Sequence, residues 1–116
     1  MTSQLRLFTI IRGKIDDVVK AWIEGVYPLR LKHGFTIEAA WVARERNQFI
    51  WILSHHGPED WETKDAAYYA SAERAALNPD PAPYLASAEQ WFVTPVLPLP
   101  SSPPHSVRPP APPADS

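Results

Sequence analysis

The sequence predicts an α+β domain in the order β-α-β-β-α-β, with four antiparallel strands in one sheet and both helices on one of its faces. Three observations carry this expectation. Short β-branched and apolar runs alternate with helix-length segments. The second and third of those runs are joined by a polar link too short to hold a helix. A proline-rich stretch then closes the foldable part of the chain near residue 96.

The first run, "QLRLFTIIR" (residues 4–12), reads as a strand that Gly13-Lys14 breaks. From Ile15 the apolar positions are Ile15, Val18, Val19, Trp22, Ile23 and Val26, the spacing of an amphipathic helix. Asp16 and Asp17 fall in its first turn, where carboxylates oppose the positive end of the helix dipole. Pro28 is expected to kink or break it, and Gly34 to stop it. "FTIEAAWVAR" (35–44) and "NQFIWILSHH" (47–56) form a hairpin about Glu45-Arg46. Pro58 suits the first position of a second helix, and the alanine-rich residues 59–77 continue it. "NPDPAP" interrupts, a short helix over residues 84–88 is expected next, and "EQWFVTPV" (89–96) reads as the last strand. This order is the ferredoxin-like arrangement.

The division expected is a folded domain over residues 1–96 and a proline-rich, disordered tail over 97–116, which holds eight of the chain's 14 prolines. A hydrophobic fraction of 45% and five tryptophans exclude a wholly disordered chain of 116 residues. A net charge of -2 makes no electrostatic case for nucleic acid or an anionic membrane as partner. Cysteine is absent, which excludes disulfides and thiolate chemistry and fits a reducing compartment. No charged-then-apolar leader opens the chain, and no apolar run reaches the roughly 18 residues of a membrane span. A cytoplasmic location is the expectation.

The strands are apolar on both faces. Leu5, Leu7 and Ile11 alternate with Phe8 and Ile10; Phe49, Trp51 and Leu53 alternate with Ile50 and Ile52. Helices on one side of the sheet can cover only one of these faces. The other is expected to bury itself against an identical subunit, so a homodimer follows.

"GKIDDVVKAWIEGVYPLRLKHGF" and "AAWVARERNQFIWILSHHGPEDWETKDAAYYASAERAAL" resemble the NIPSNAP-like branch of the dimeric α+β barrel superfamily, over roughly residues 4–96. "HGF" and "AAYYASAERAAL" are the most specific pieces. The resemblance implies a homodimer whose sheets share a barrel, with a cavity between sheet and helices in each subunit. Relatives include cofactor-free monooxygenases of aromatic metabolites, polyketide cyclases and haem-binding or haem-degrading proteins. No single chemistry of that branch carries over residue by residue.

Histidine titrates near neutrality, so His55 and His56 are candidate acid/base residues. They end the third strand and point to opposite faces, so only one can line a cavity. For the same reason they do not form a metal site. HxH and HxxxH spacings are absent, and neither a metal nor an organic cofactor is expected. His33, beside Gly34 at a helix end, reads as a cap and is retained as a ligand contact. Glu38 reads as an exposed edge residue. Arg30 is placed at the cavity mouth.

Trp22, Trp41, Trp51 and Trp61 are candidate walls for a flat ligand. Tyr68 lies seven residues beyond Trp61 on one helix stripe, and Asp65 lies four before Tyr69, within reach of its phenol. Two functions follow. In the first, a small-molecule enzyme performs cofactor-independent proton transfer at an acidic carbon of an aromatic or polyketide-like metabolite, leading to cyclisation, isomerisation or reaction with oxygen. His55 or His56 is its base, and Tyr68 or Tyr69 with Arg30 stabilises the enolate. In the second, the chain is a non-catalytic dimeric binding or scaffold protein, with haem binding a third option.

Overall fold

The computed structural model describes residues 1–97. The proline-rich segment assigned to 97–116 lies, apart from Leu97, outside the described residues. The strands are β1 (Thr2–Ile10), β2 (Thr36–Ala43), β3 (Gln48–His55) and β4 (Leu85–Val93). They form one antiparallel sheet of order β2-β3-β1-β4, so the first and third strands are central. This is the ferredoxin-like α+β arrangement the sequence predicts.

The first helix does not break at Pro28. Helix α1 (Ile15–Ala21) runs through a π-helical turn (Trp22–Val26) into α2 (Tyr27–Lys32). A proline lacks the N–H of an α-helical bond, and its ring clashes with the carbonyl four residues back. The wide turn just before Pro28 absorbs both problems and keeps the helix intact. Its end matches expectation. Gly34 adopts φ +87°, its N–H bonds Leu31 O at 3.0 Å, and Phe35 N–H bonds Arg30 O at 3.0 Å. That pair of bonds is a Schellman stop, and it needs a residue tolerant of positive φ.

The second helix differs more. Asp60, not Pro58, sets its start: the Asp60 carboxylate accepts from Thr63 N–H at 3.4 Å and caps α3 (Trp61–Ala70). Ser71 then breaks the run with extended backbone at φ -69°, ψ 146°. Its hydroxyl donates to Tyr68 O at 2.7 Å and accepts from Arg74 N–H at 3.1 Å, so it caps α4 (Ala72–Ala75). A serine among alanines competes for backbone hydrogen bonds and here wins. The helix expected over 84–88 is absent. A 3₁₀ turn (Ala82–Tyr84) leads straight into β4, whose Leu85 pairs with Ile10. Sheet pairing outweighs the local preference of alanine and leucine for helix.

The two sheet faces differ in cover. Toward the helices point Gln4, Arg6, Phe8 and Ile10 of β1 and Phe49, Trp51, Leu53 and His55 of β3. Trp22 meets Phe49 and Trp51 edge-on at 5.1 and 5.3 Å and joins helix to sheet. Among the described residues, no layer covers the opposite face, which carries Leu5, Leu7, Ile50 and Ile52 flanked by Trp41 and Trp91. Those two indoles are 51% and 46% exposed, large values for tryptophan on a sheet. Among the described residues, no helix is long and apolar enough to cross a membrane.

Candidate functional site

Alternation along β1 places Gln4 and Arg6 on the helix-facing side, between layers that are otherwise apolar. Arg6 is 2% exposed and Arg30, on α2, is 1% exposed. Two guanidiniums so deeply buried need partners, and α3 supplies them. Arg30 Nη1 donates to Asp65 Oδ1 at 2.7 Å, while Arg6 Nη2 donates to both Asp65 oxygens at 3.2 and 3.1 Å. The Tyr69 oxygen accepts from Arg6 Nη1 at 2.8 Å and from Arg30 Nη2 at 3.3 Å. Arg6 Nε donates to Gln4 at 2.8 Å. Asp65 therefore serves as counter-ion to two arginines and does not take the Tyr69 hydrogen bond expected of it.

A third arginine joins from α4. The Arg6, Arg30 and Arg74 guanidinium carbons lie 6.0, 5.2 and 5.7 Å from the centroid of the Tyr69 ring. Arg30 also stacks at 3.7 Å over Tyr68. Burial, followed by the like charge of Arg6, lowers Arg30 below its ordinary value. Guanidine is basic enough that the group stays cationic. Burial pushes the Tyr68 phenol up against the pull of Arg30, so Tyr68 stays a protonated donor. Among the described residues, its hydroxyl and Arg30 Nε are buried without hydrogen-bond partners, as are the indole N–H groups of Trp22 and Trp51.

These groups surround a cavity of about 160 Å³ between sheet and helices. Trp22, Trp51 and Phe8 form its apolar wall, Arg6, Arg30, Arg74, Tyr68 and Tyr69 its polar wall, and exposed Gln90 and Ala88 of β4 stand at its rim. Among the described residues, no carboxylate and no imidazole lines it.

Of the residues singled out from sequence, the structure brings Arg30, Tyr68, Tyr69, Trp22 and Trp51 together at this cavity. Arg30 sits within it, deeper than the mouth position expected. Tyr69 is the half-exposed member of the tyrosine pair and Tyr68 the buried one.

The remaining candidates lie elsewhere. His55 is buried on the helix side, but its Nε2 lies 2.8 Å from Glu59 O, its Nδ1 accepts from Gly57 N–H, and Phe35 packs beside it. His56 points to the uncovered face, where it lines an open groove of about 560 Å³ with Leu5, Ile52 and Glu38. Glu38 occupies a bulge opposite Ile52, which turns it onto that face instead of out from the sheet edge. His33 packs edge-on against Tyr68 at 5.5 Å from behind and approaches Glu73 at 3.3 Å. Trp41 is on the uncovered face because it pairs with Ile50. Trp61 packs against Phe35 and Phe92, away from the cavity.

Sequence reasoning missed Arg6, Asp65 as a shared counter-ion, and Arg74. The available signal was the period-two run Gln4, Arg6, Phe8, Ile10: two polar residues on an apolar face require a partner across the layer. Among the described residues, no group of three or more His, Cys, Asp or Glu side chains is placed to hold a metal ion.

No protein-family model matches the chain, and no curated protein matches it in sequence. Solved structures do. A NIPSNAP-family protein of unknown function from Agrobacterium tumefaciens superposes with a TM-score of 0.75 at 16% identity, over 85% of this chain and 93% of that one. An uncharacterized NIPSNAP-domain protein from Burkholderia xenovorans gives 0.72 at 17% identity, over 87% and 100%. A putative antibiotic biosynthesis monooxygenase from Nitrosomonas europaea gives 0.62 at 11% identity, over 84% and 100%. In agreement with the resemblance carried by its helices, the chain has the α+β fold of the NIPSNAP-family structures, shared with proteins of the antibiotic biosynthesis monooxygenase type.

Proposed function

We propose that the chain is a small-molecule enzyme that uses the sheet–helix cavity for cofactor-independent proton transfer on an aromatic or polyketide-like metabolite. The observation that carries this is the convergence of Tyr68, Tyr69, Arg6 and Arg30 on one tryptophan-walled cavity. An enolisable carbonyl compound held there meets hydrogen-bond donors and cations where its oxygen gains charge. As a phenolate, Tyr69 takes the proton from the acidic carbon. The carbon's electron pair moves onto the carbonyl oxygen, and the Tyr68 hydroxyl with the Arg30 guanidinium stabilises it there. The resulting enolate is the common intermediate for isomerisation, cyclisation or direct attack on oxygen.

Neither His55 nor His56 lines the cavity, so the proton-transfer role moves from histidine to Tyr69. The fold shared with structures of the antibiotic biosynthesis monooxygenase type lends this reading support by analogy. The uncovered sheet face supports pairing with a second copy of the chain, which buries Trp41 and Trp91 and forms the shared barrel. The absence of cysteine suits a cytoplasmic setting.

The test is deuterium exchange at the acidic carbon of enolisable aryl ketones in heavy water, followed by NMR. Exchange that Tyr69→Phe abolishes supports the enzyme. Exchange unchanged in that variant, or no exchange in a ketone shown to bind, overturns it. One observation favours a second reading, a ligand-binding protein without turnover: among the described residues, no carboxylate or imidazole lines the cavity to act as an ordinary base.

A further inference from the structure

We propose that the ligand class of this cavity is an organic monoanion: a single flat ring bearing one carboxylate. The proposal rests on the reading above only in taking the cavity as a ligand site; it requires no turnover.

Charge is the first argument. Three guanidiniums line the cavity, those of Arg6, Arg30 and Arg74. Two carboxylates answer them from outside its wall: Asp65 for Arg6 and Arg30, and Asp80, at 3.3 Å, for Arg74. Among the described residues, and with Tyr69 as the neutral phenol, the cluster keeps one positive charge in surplus; a phenolate at Tyr69, as proton transfer needs, cancels it, so the anion binds the phenol form. Arg6 and Arg30 are almost completely withdrawn from solvent, and Arg74 is 16% exposed by side chain. A buried charge without a counter-charge is costly, and one negative charge brought by a ligand removes that cost. A neutral or cationic ligand does not.

Unmet hydrogen-bonding capacity is the second. Arg30 Nε and the Tyr68 hydroxyl, on residues that line the cavity, are buried without partners among the described residues. Of the five N–H bonds Arg74 carries, the structure shows one side-chain bond used, to Asp80. These are donors, and donors select an acceptor group. A carboxylate matches them in charge, and its two oxygens match the planar fork of a guanidinium.

Size and shape are the third. A cavity of about 160 Å³ compares with the roughly 150 Å³ cavity that holds one benzene. Trp22, Trp51 and Phe8 offer flat apolar walls for a single ring. The carboxylate then lies among the unmet donors, beside Arg30 Nε and the Tyr68 hydroxyl and within the field of Arg74.

Binding to the full-length protein is measured by quenching of tryptophan fluorescence and by calorimetry, with benzoate, benzamide, benzylamine and phthalate as probes. Benzoate is expected to bind at least tenfold tighter than benzamide, its neutral isostere, and benzylamine not to bind. Phthalate, with two charges against a surplus of one, binds more weakly than benzoate. Arg74→Gln, which leaves the ion pairs of Arg6 and Arg30 with Asp65 intact, weakens benzoate at least fivefold and leaves the far-ultraviolet circular dichroism unchanged.

Benzamide binding as tightly as benzoate overturns the proposal. So does displacement of benzoate by sodium chloride or inorganic phosphate at equal concentration, which reduces the site to a general anion patch. Benzoate has no acidic carbon to exchange. Its binding therefore stands or falls apart from the proton-transfer reading, which the aryl ketone experiment decides by itself.

Discussion

Asp65 is, among the described residues, the one carboxylate between two buried arginines, and its removal is the most informative perturbation of the domain. In Asp65→Asn the shape is kept and the charge lost. Arg6 and Arg30, 2% and 1% exposed, are then left facing each other as uncompensated cations. Breaking a buried ion pair by deleting one partner costs about 3–5 kcal/mol. Two cations lose their counter-ion here, so the upper end applies, against a total stability of about 5–15 kcal/mol for a domain.

Arg30→Met should behave differently. It leaves Arg6 and Asp65 as a matched pair, joined through bonds of 3.1 and 3.2 Å. It loses the 2.7 Å bond to Asp65 and the stacking over Tyr68, while methionine refills the space between aromatic rings. The expected cost is about 1–2 kcal/mol. Urea unfolding at neutral pH, with fixed slope, measures both. Thermal melts should fall by about 12 °C or more for Asp65→Asn and by less than half of that for Arg30→Met. Equal costs, or Asp65→Asn under about 1 kcal/mol, would refute the assignment of Asp65 as shared counter-ion and with it the charge argument for the cavity.

Four further outcomes follow from the geometry. Tyr68→Phe removes a buried hydroxyl that has no partner among the described residues; stability in urea should hold or rise by up to about 1 kcal/mol, while benzoate affinity falls. Asn47, which closes the β2–β3 hairpin at φ 55°, should tolerate glycine, whereas Asn47→Ala costs about 1–2 kcal/mol by chemical denaturation. Under the proposed pairing of uncovered faces, the parent chain should scatter as a dimer and Trp41→Lys as a monomer, with the helical circular dichroism retained. Glu73 is held below the ordinary carboxyl value, first by Lys32 and also by His33. Because the folded value is depressed, its stabilisation is present above the unfolded value and lost as pH falls through the folded one. The melting-temperature advantage of the parent chain over Glu73→Gln should therefore shrink on acidification.

The order of elements and the two-faced strands were legible because periodicity records burial directly. Trp22, Val18 and Val26 repeat at helical spacing, and Phe49, Trp51 and Leu53 alternate. Trp61 and Tyr68 likewise declared one buried stripe. The half of the site made by Tyr68, Tyr69 and Arg30 could be picked out because phenols and a guanidinium are scarce in an apolar helix pair. Arg6 could not be assigned, since its partner Asp65 lies 59 residues away and only the packing of α3 on the sheet joins them. Local pattern cannot report a contact of that range. The break at Ser71 and the early start of β4 were hidden for a related reason: a single hydrogen bond or a pairing partner decided them against the helix propensity of their neighbours.

The π-helical turn at Trp22–Val26 has a consequence for comparing this chain with others. In a regular helix each residue advances about 100°, so Arg30, twelve positions after Val18, stands about 120° around from it. The wide turn holds one residue more than a regular one and sets the phase back by about one step. Arg30 thereby returns to the face of Val18, Trp22 and Val26 and enters the layer beneath Trp51. A relative one residue shorter here, with no proline to accommodate, would present its arginine at the same point in space from a regular helix. Alignments should therefore open their gap inside Trp22–Val26; a gap placed in a loop instead sets Arg30 against a neighbour and makes a shared cavity look unshared.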